Sequence, residues 1–94
     1  MNLTFEWDSE KAESNVQKHG VSFEEAMSAF ADLLSFVIAD PAHSRGEQRY
    51  LLLGVSYQGR LLVVSHTEQG ETIRIINARR ASRREKRVYE EGED

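Results

Sequence analysis

Three runs in the second half of the chain, Tyr50 to Ser56, Arg60 to Thr67 and Thr72 to Arg79, are dense in Leu, Val and Ile and are separated only by Tyr57-Gln58-Gly59 and Glu68-Gln69-Gly70. Branched apolar residues favour extended backbone, and a three-residue link ending in a left-handed glycine turns one strand back on the last. This half of the chain is therefore expected to form an antiparallel meander, with Ser56 opposite Arg60 and Thr67 opposite Glu71. In that register Leu62, Val64, His66, Arg74, Ile76 and Ala78 share one face, and Leu61, Val63, Ser65, Ile73, Ile75, Asn77 and Arg79 share the other. Both faces are largely apolar, so both need cover, from the chain's own terminal helix or from another chain.

The remaining elements are marked by local signals. Leu3-Thr4-Phe5-Glu6-Trp7 alternates as a short strand with Trp7 in the core, and Asp8 is placed to cap a helix that closes at Lys18-His19-Gly20. Ser22-Phe23-Glu24-Glu25 reads as a capping box for a second helix, which buries Phe23, Met27, Phe30 and Leu34 as one stripe and ends near Asp32. Phe36-Val37-Ile38-Ala39 is a strand closed by Asp40-Pro41. Ser82-Arg83-Arg84-Glu85 is a second capping box, opening a helix that runs toward Tyr89 and frays in the acidic tail of residues 90–94. The expectation is a single α+β domain over residues 1–94, of order β-α-α-β-β-β-β-α. Its antiparallel sheet carries two N-terminal helices and a C-terminal helix.

Composition narrows the function classes. The chain has 94 residues, a formal net charge of −4 and no cysteine, so disulfides, thiolate chemistry and cysteine zinc sites are excluded. Its apolar runs are far shorter than the roughly 20 residues of a membrane span, and Met1-Asn2-Leu3-Thr4 does not open a signal peptide, so the cytoplasm is the expected compartment. The charge is unevenly spread. Thr72 to Arg87 carries seven Lys/Arg against one Asp/Glu, whereas Met1 to Glu71 carries five against eleven. A basic segment in an acidic chain can hold a few phosphates or an acidic partner at short range.

Arg74, Arg79, Arg83 and Arg84 lie in a strand and at the start of the helix after it. Guanidinium forks and helix-start N–H groups both suit phosphate, although a charge run can also be a solvated face. His66, in a strand next to Arg74 in the expected register, is a candidate proton carrier or a structural histidine. Glu85 is the reciprocal member of its capping box or a general base. Tyr89, one turn on, packs or donates to a phosphate. His19 is explained by its helix end, and His43 has no partner at metal-ligand spacing, so no metal or other cofactor is expected. Asp8, Glu47 and Arg49 are further ion-pair or base candidates.

Phe5-Glu6-Trp7-Asp8, Lys11, Asn15, Lys18-His19-Gly20-Val21-Ser22-Phe23-Glu24-Glu25-Ala26, Gly46-Glu47 with Arg49, and Ile73-Arg74-Ile75-Ile76-Asn77-Ala78-Arg79 with Glu85 and Tyr89 resemble the BrnT toxins, with Asn77 where serine is expected. The resemblance implies a fold similar to the RelE group and a ribonuclease toxin of a type II toxin–antitoxin pair. It further implies a BrnA-like antitoxin as partner in a hetero-oligomer, and operator DNA reached only through that antitoxin. The implied reaction is metal-independent attack of a ribose 2′-hydroxyl on the adjacent phosphate. Arg74 and Arg79, with Arg83 third, would stabilise charge, His66 or Glu85 would take the proton, and Tyr89 or an arginine would assist the leaving oxygen. Arg79, Arg80, Arg83 and Arg84 would bind RNA. A non-catalytic binding module and an inactive relative are the alternatives.

Overall fold

The computed structural model describes residues 2–92. Strand β1 (Thr4–Glu6) leads into α1 (Ser9–His19), and α2 (Phe23–Ser28) continues as a 3₁₀ turn over Ala29–Ala31. Then come β2 (Phe36–Ala39), a 3₁₀ turn at Pro41–His43, β3 (Tyr50–Val55), β4 (Leu61–Gln69), β5 (Thr72–Arg80) and α3 (Arg83–Glu91). The described residues thus form a small α+β unit with five strands and three α-helices, in the expected order. Glu90 and Glu91 of the expected frayed tail are helical, and Glu93 and Asp94 lie outside the described residues.

The helix boundaries follow the local chemistry. The Asp8 carboxylate accepts the Lys11 N–H at 3.0 Å, and Gly20, at φ 68°, closes α1 by donating to Val16. Glycine takes that left-handed conformation without strain. The Ser82–Glu85 capping box is complete. At Ser22 only half the box forms: the hydroxyl accepts the Glu25 N–H, while the Glu25 carboxylate turns inward. There it takes the Ser56 hydroxyl at 2.7 Å and the Arg60 Nε at 2.9 Å. The second helix is also shorter than its apolar spacing predicts. The Ser28 hydroxyl bonds back to the Glu25 carbonyl at 2.6 Å and the chain tightens into the 3₁₀ turn. The buried stripe is therefore Phe23, Ala26 and Ala29, with Phe30 partly covered, whereas Met27 and Leu34 face outward.

The sheet order is β1-β5-β4-β3-β2, and it is mixed. β2, β3, β4 and β5 pair antiparallel as expected, but β1 lies parallel to β5, with Phe5 opposite Ile73. That pairing joins segments far apart in the chain, which no local pattern encodes. The Tyr57-Gln58-Gly59 loop has the expected closure, with Ser56 N–H to Arg60 carbonyl at 2.9 Å and Gly59 at φ 77°. The next hairpin does not. β4 runs on through Gln69, which pairs with Thr72, leaving a two-residue turn at Gly70-Glu71, so Thr67 faces Arg74 rather than Glu71.

A bulge corrects the assignment of faces. Ser65 pairs with Asn77 but His66 with Ile75, so Ile76 is an extra residue in β5. One extra residue reverses the alternation beyond it. Ile73 and Ile75 on one side of the bulge and Ala78 on the other all reach the helix-covered core with Leu62 and Val64. His66 joins that core, fully buried between the Phe30 and Tyr50 rings, and does not share a face with Arg74. α1 and α2 pack on β5. The opposite face is partly roofed by α3: Val88 and Glu85 with Phe36, Ile38, Leu51, Leu53 and Val63 line an apolar groove of about 480 Å³. Among the described residues no helix is long and apolar enough to cross a membrane.

Candidate active site

Strand β1 stops beside Arg74, so the rest of the β5 edge needs another partner. Asn15 of α1 supplies it. Its amide donates to the Ala78 carbonyl at 2.8 Å, accepts the Ala78 N–H at 3.1 Å and donates to the Val21 carbonyl at 2.9 Å. This clamp holds α1 against the strand, and Lys11, one turn earlier, joins Arg79, Asn77 and Ile76 in lining a cleft of about 400 Å³. Ser65, Leu51, Asp40, His43 and Arg49 complete the lining.

The β2–β3 loop is stitched by one hydroxyl. Ser44 Oγ donates to the Asp40 carbonyl at 2.7 Å and accepts the Arg49 N–H at 2.9 Å, while the Asp40 N–H donates to the Arg49 carbonyl at 2.9 Å. His43 Nδ1 lies 3.0 Å from Asp40 Oδ2. The Arg49 Nε is buried without a hydrogen-bond partner, 3.9 Å from the nearest Glu47 oxygen. At that distance Glu47 pairs with Arg49 through charge rather than through a hydrogen bond. Lys11, Arg49 and Arg79 therefore bring three cationic groups from three elements to one concave surface.

Arg79 is held by Glu85 through two parallel hydrogen bonds of 2.9 and 2.8 Å. Glu85 also accepts the Ser82 N–H at 2.8 Å. Pairing with Arg79 draws the Glu85 carboxyl down to about 2 against the opposing effect of burial, and the Arg79 guanidinium shifts upward in return. A carboxylate so held is a weak base; its work is to aim the guanidinium, whose remaining N–H donors stay available.

The other sequence candidates separate. Arg74 points its terminal nitrogen to both Glu47 oxygens, at 2.6 and 2.8 Å, in a different cleft with Glu6, Thr67 and Thr72. His66 is engaged at both ring nitrogens, with the Val64 carbonyl at 3.0 Å and Glu68 at 2.9 Å. Tyr89 donates to Asp32 at 2.5 Å, and burial together with that bond pushes its phenol up to about 12. It anchors α3 rather than facing the cleft. Arg80 sits with Arg60, Lys86 and Tyr89 in another hollow, and Arg83 and Arg84 are exposed on the first turn of α3. Of the proposed set, the structure brings together Arg79 and Glu85. Sequence reasoning missed Asn15, Lys11, His43 and Arg49 as neighbours of Arg79. Lys11, Asn15 and Arg49 were nevertheless within the stretches that carried the family resemblance.

Among the described residues no three His, Asp or Glu side chains cluster as metal ligands would. A family model described as the ribonuclease toxin BrnT of type II toxin–antitoxin systems matches residues 7–85. The chain is also similar to the 1.1 Å crystal structure of the Brucella abortus ribonuclease toxin BrnT, at TM-score 0.58 and 23% identity, over 87% of this chain and 100% of that one. At that identity the likeness speaks for the fold. No curated protein matches the chain.

Proposed function

The chain belongs to the BrnT family, the ribonuclease toxins of type II toxin–antitoxin systems, and on that premise we propose that it cleaves RNA in the Lys11–Arg49–Arg79 cleft, without a metal, by 2′-hydroxyl attack on the adjacent phosphate. The observation that carries this reading is the convergence of those three cations from α1, the loop before β3 and the end of β5. A pentacoordinate phosphorus gathers negative charge on its non-bridging oxygens. Arg79 presents a guanidinium already aimed by Glu85, Arg49 a second guanidinium paired at 3.9 Å with Glu47, and Lys11 a point charge. Donors set in advance around such charge are worth roughly 3 to 4 kcal/mol each. The reaction is then of the RelE type, giving a 2′,3′-cyclic phosphate and a free 5′-hydroxyl, and loss of messages stops translation. Arg80, Arg83 and Arg84 lie beyond the cleft and extend the basic surface for the RNA strand.

Such a toxin has an antitoxin partner, and we take a BrnA-like protein to cover the cleft and the apolar groove together. Leu51 lines both, and Leu33 and Leu34, in the turn ahead of β2, are 98% and 74% exposed. Apolar side chains bared to that extent mark a surface made for another chain. Operator DNA would then be met only through the antitoxin.

Incubation of the purified chain with RNA in excess chelator tests the chemistry. New cyclic-phosphate ends are expected, reduced roughly 100-fold or more in Arg79→Ala. Stable RNA binding with no new ends would assign the chain to a non-catalytic binding module instead, and undiminished cutting by Arg79→Ala would remove this cleft from the reaction.

A further inference from the structure

We propose that His43, oriented by Asp40, is the general base that takes the 2′-hydroxyl proton; the inference rests on the ribonuclease reading above and supplies the proton acceptor that reading lacks. The expected acceptors are committed elsewhere. His66 is sealed in the core with both ring nitrogens bonded. Glu85 is locked onto Arg79 and its own helix start, and Tyr89 onto Asp32. Among the described residues that line the cleft, His43 is the imidazole, and its ring is 69% exposed beside an Asp40 carboxylate that is 14% exposed.

The geometry sets the tautomer. An ionised carboxylate only accepts, so the 3.0 Å contact makes His43 Nδ1 the donor and leaves Nε2 with a free lone pair, the form a general base requires. A carboxylate behind the ring also stabilises the imidazolium once the proton has moved. The same Ser44 stitching that fixes Asp40 fixes Arg49, so base and anion-binding group are carried on one loop. Nε2 accepts the 2′-hydroxyl proton as the O2′–phosphorus bond forms. The phosphorus–O5′ bond breaks with its electron pair going to O5′, and O5′ takes a proton from the Lys11 ammonium. Solvent then removes the proton from His43 and returns one to Lys11, so charge and protons balance with no redox step.

Single-turnover cleavage of a labelled RNA, free and on programmed ribosomes, tests the assignment with the full chain. His43→Ala is expected to lower the rate ~10²–10⁴-fold while leaving the affinity for a 2′-O-methyl RNA unchanged, and added imidazole is expected to restore part of the rate. His43→Gln, which can keep the bond to Asp40 and the loop, should be as slow. Asp40→Asn, which no longer holds the ring in one tautomer, should also slow cleavage while leaving the affinity for the 2′-O-methyl RNA unchanged. Lys11, Arg49 and Arg79, the other charged groups of the cleft, remain in place in every variant. Wild-type rates in both His43 variants would overturn this assignment and leave the ribonuclease reading standing. Failure of the unaltered chain to cut either form of RNA would overturn the reading itself.

Discussion

Asn15 does with one amide what a neighbouring strand would do with its backbone: it satisfies both the N–H and the carbonyl of Ala78 and, through the Val21 carbonyl, ties down the segment after α1. All three bonds are buried, so truncation leaves groups that water cannot reach. Asn15→Ala is expected to lower stability by about 1 to 3 kcal/mol in urea denaturation; an unchanged midpoint would mean that the clamp is ornamental. Glu85 makes a pH-dependent contribution. Its carboxyl sits near 2 in the fold against an ordinary 4.5, so the ion pair and cap stabilise fully above about 4.5 and are lost as pH falls through about 2. The melting-temperature advantage of the wild type over Glu85→Gln should therefore shrink across that window; a constant difference would contradict the pairing. Both residues were visible in the sequence, Glu85 through its Ser82 spacing and Asn15 only as one letter in a resemblance, because a strand-edge clamp spanning 63 positions has no local signature.

At the level of elements, what was legible is what depends on residues three or four apart. Caps at Asp8, Ser22 and Ser82, the closing glycine at position 20 and the Gly59 hairpin all rest on such short spacings. The bulge at Ile76 and the parallel β1–β5 pair are tertiary choices. The first lets β5 bury Ile73, Ile75 and Ala78 on one face although their spacing breaks alternation. The two-residue turn at Gly70-Glu71 undid the His66–Arg74 neighbourhood: it sets His66 opposite Ile75, and Arg74, the next residue along the strand, points to the other face. Gly54 shows the tightness of the join between β3 and the turn after α2. A Cβ there would lie 2.7 Å from the Ala29 carbonyl oxygen and 3.0 Å from the Ser35 Cβ. Backbone cannot give way as a flexible side chain does, so Gly54→Ala is expected to cost about 1 to 3 kcal/mol, read as a lowered denaturation midpoint. A neutral result would show that the Ala29–Ala31 turn shifts freely against the strand.

On the scale of the whole molecule, the charge asymmetry of the sequence resolves into separate destinations. Arg74 is spent on Glu47, Arg60 on the buried Glu25, and Arg79 is aimed by Glu85 into a cleft that also receives Lys11 and Arg49. The basic run from Thr72 to Arg87 pointed to phosphate, but not to Lys11, His43 and Arg49, which reach the cleft from an acidic half of the chain. Convergence of three elements is a property of the fold and leaves no mark on composition. The central claim, that this cleft cuts RNA through the 2′-hydroxyl, is tested most directly by mapping transcript ends in bacteria expressing the chain without an antitoxin. Wild-type chain is predicted to arrest growth and generate new 3′ ends bearing 2′,3′-cyclic phosphate, and Arg79→Ala at equal protein level to generate few. Growth arrest with intact transcripts, or cuts left with 3′-hydroxyl ends, would contradict it.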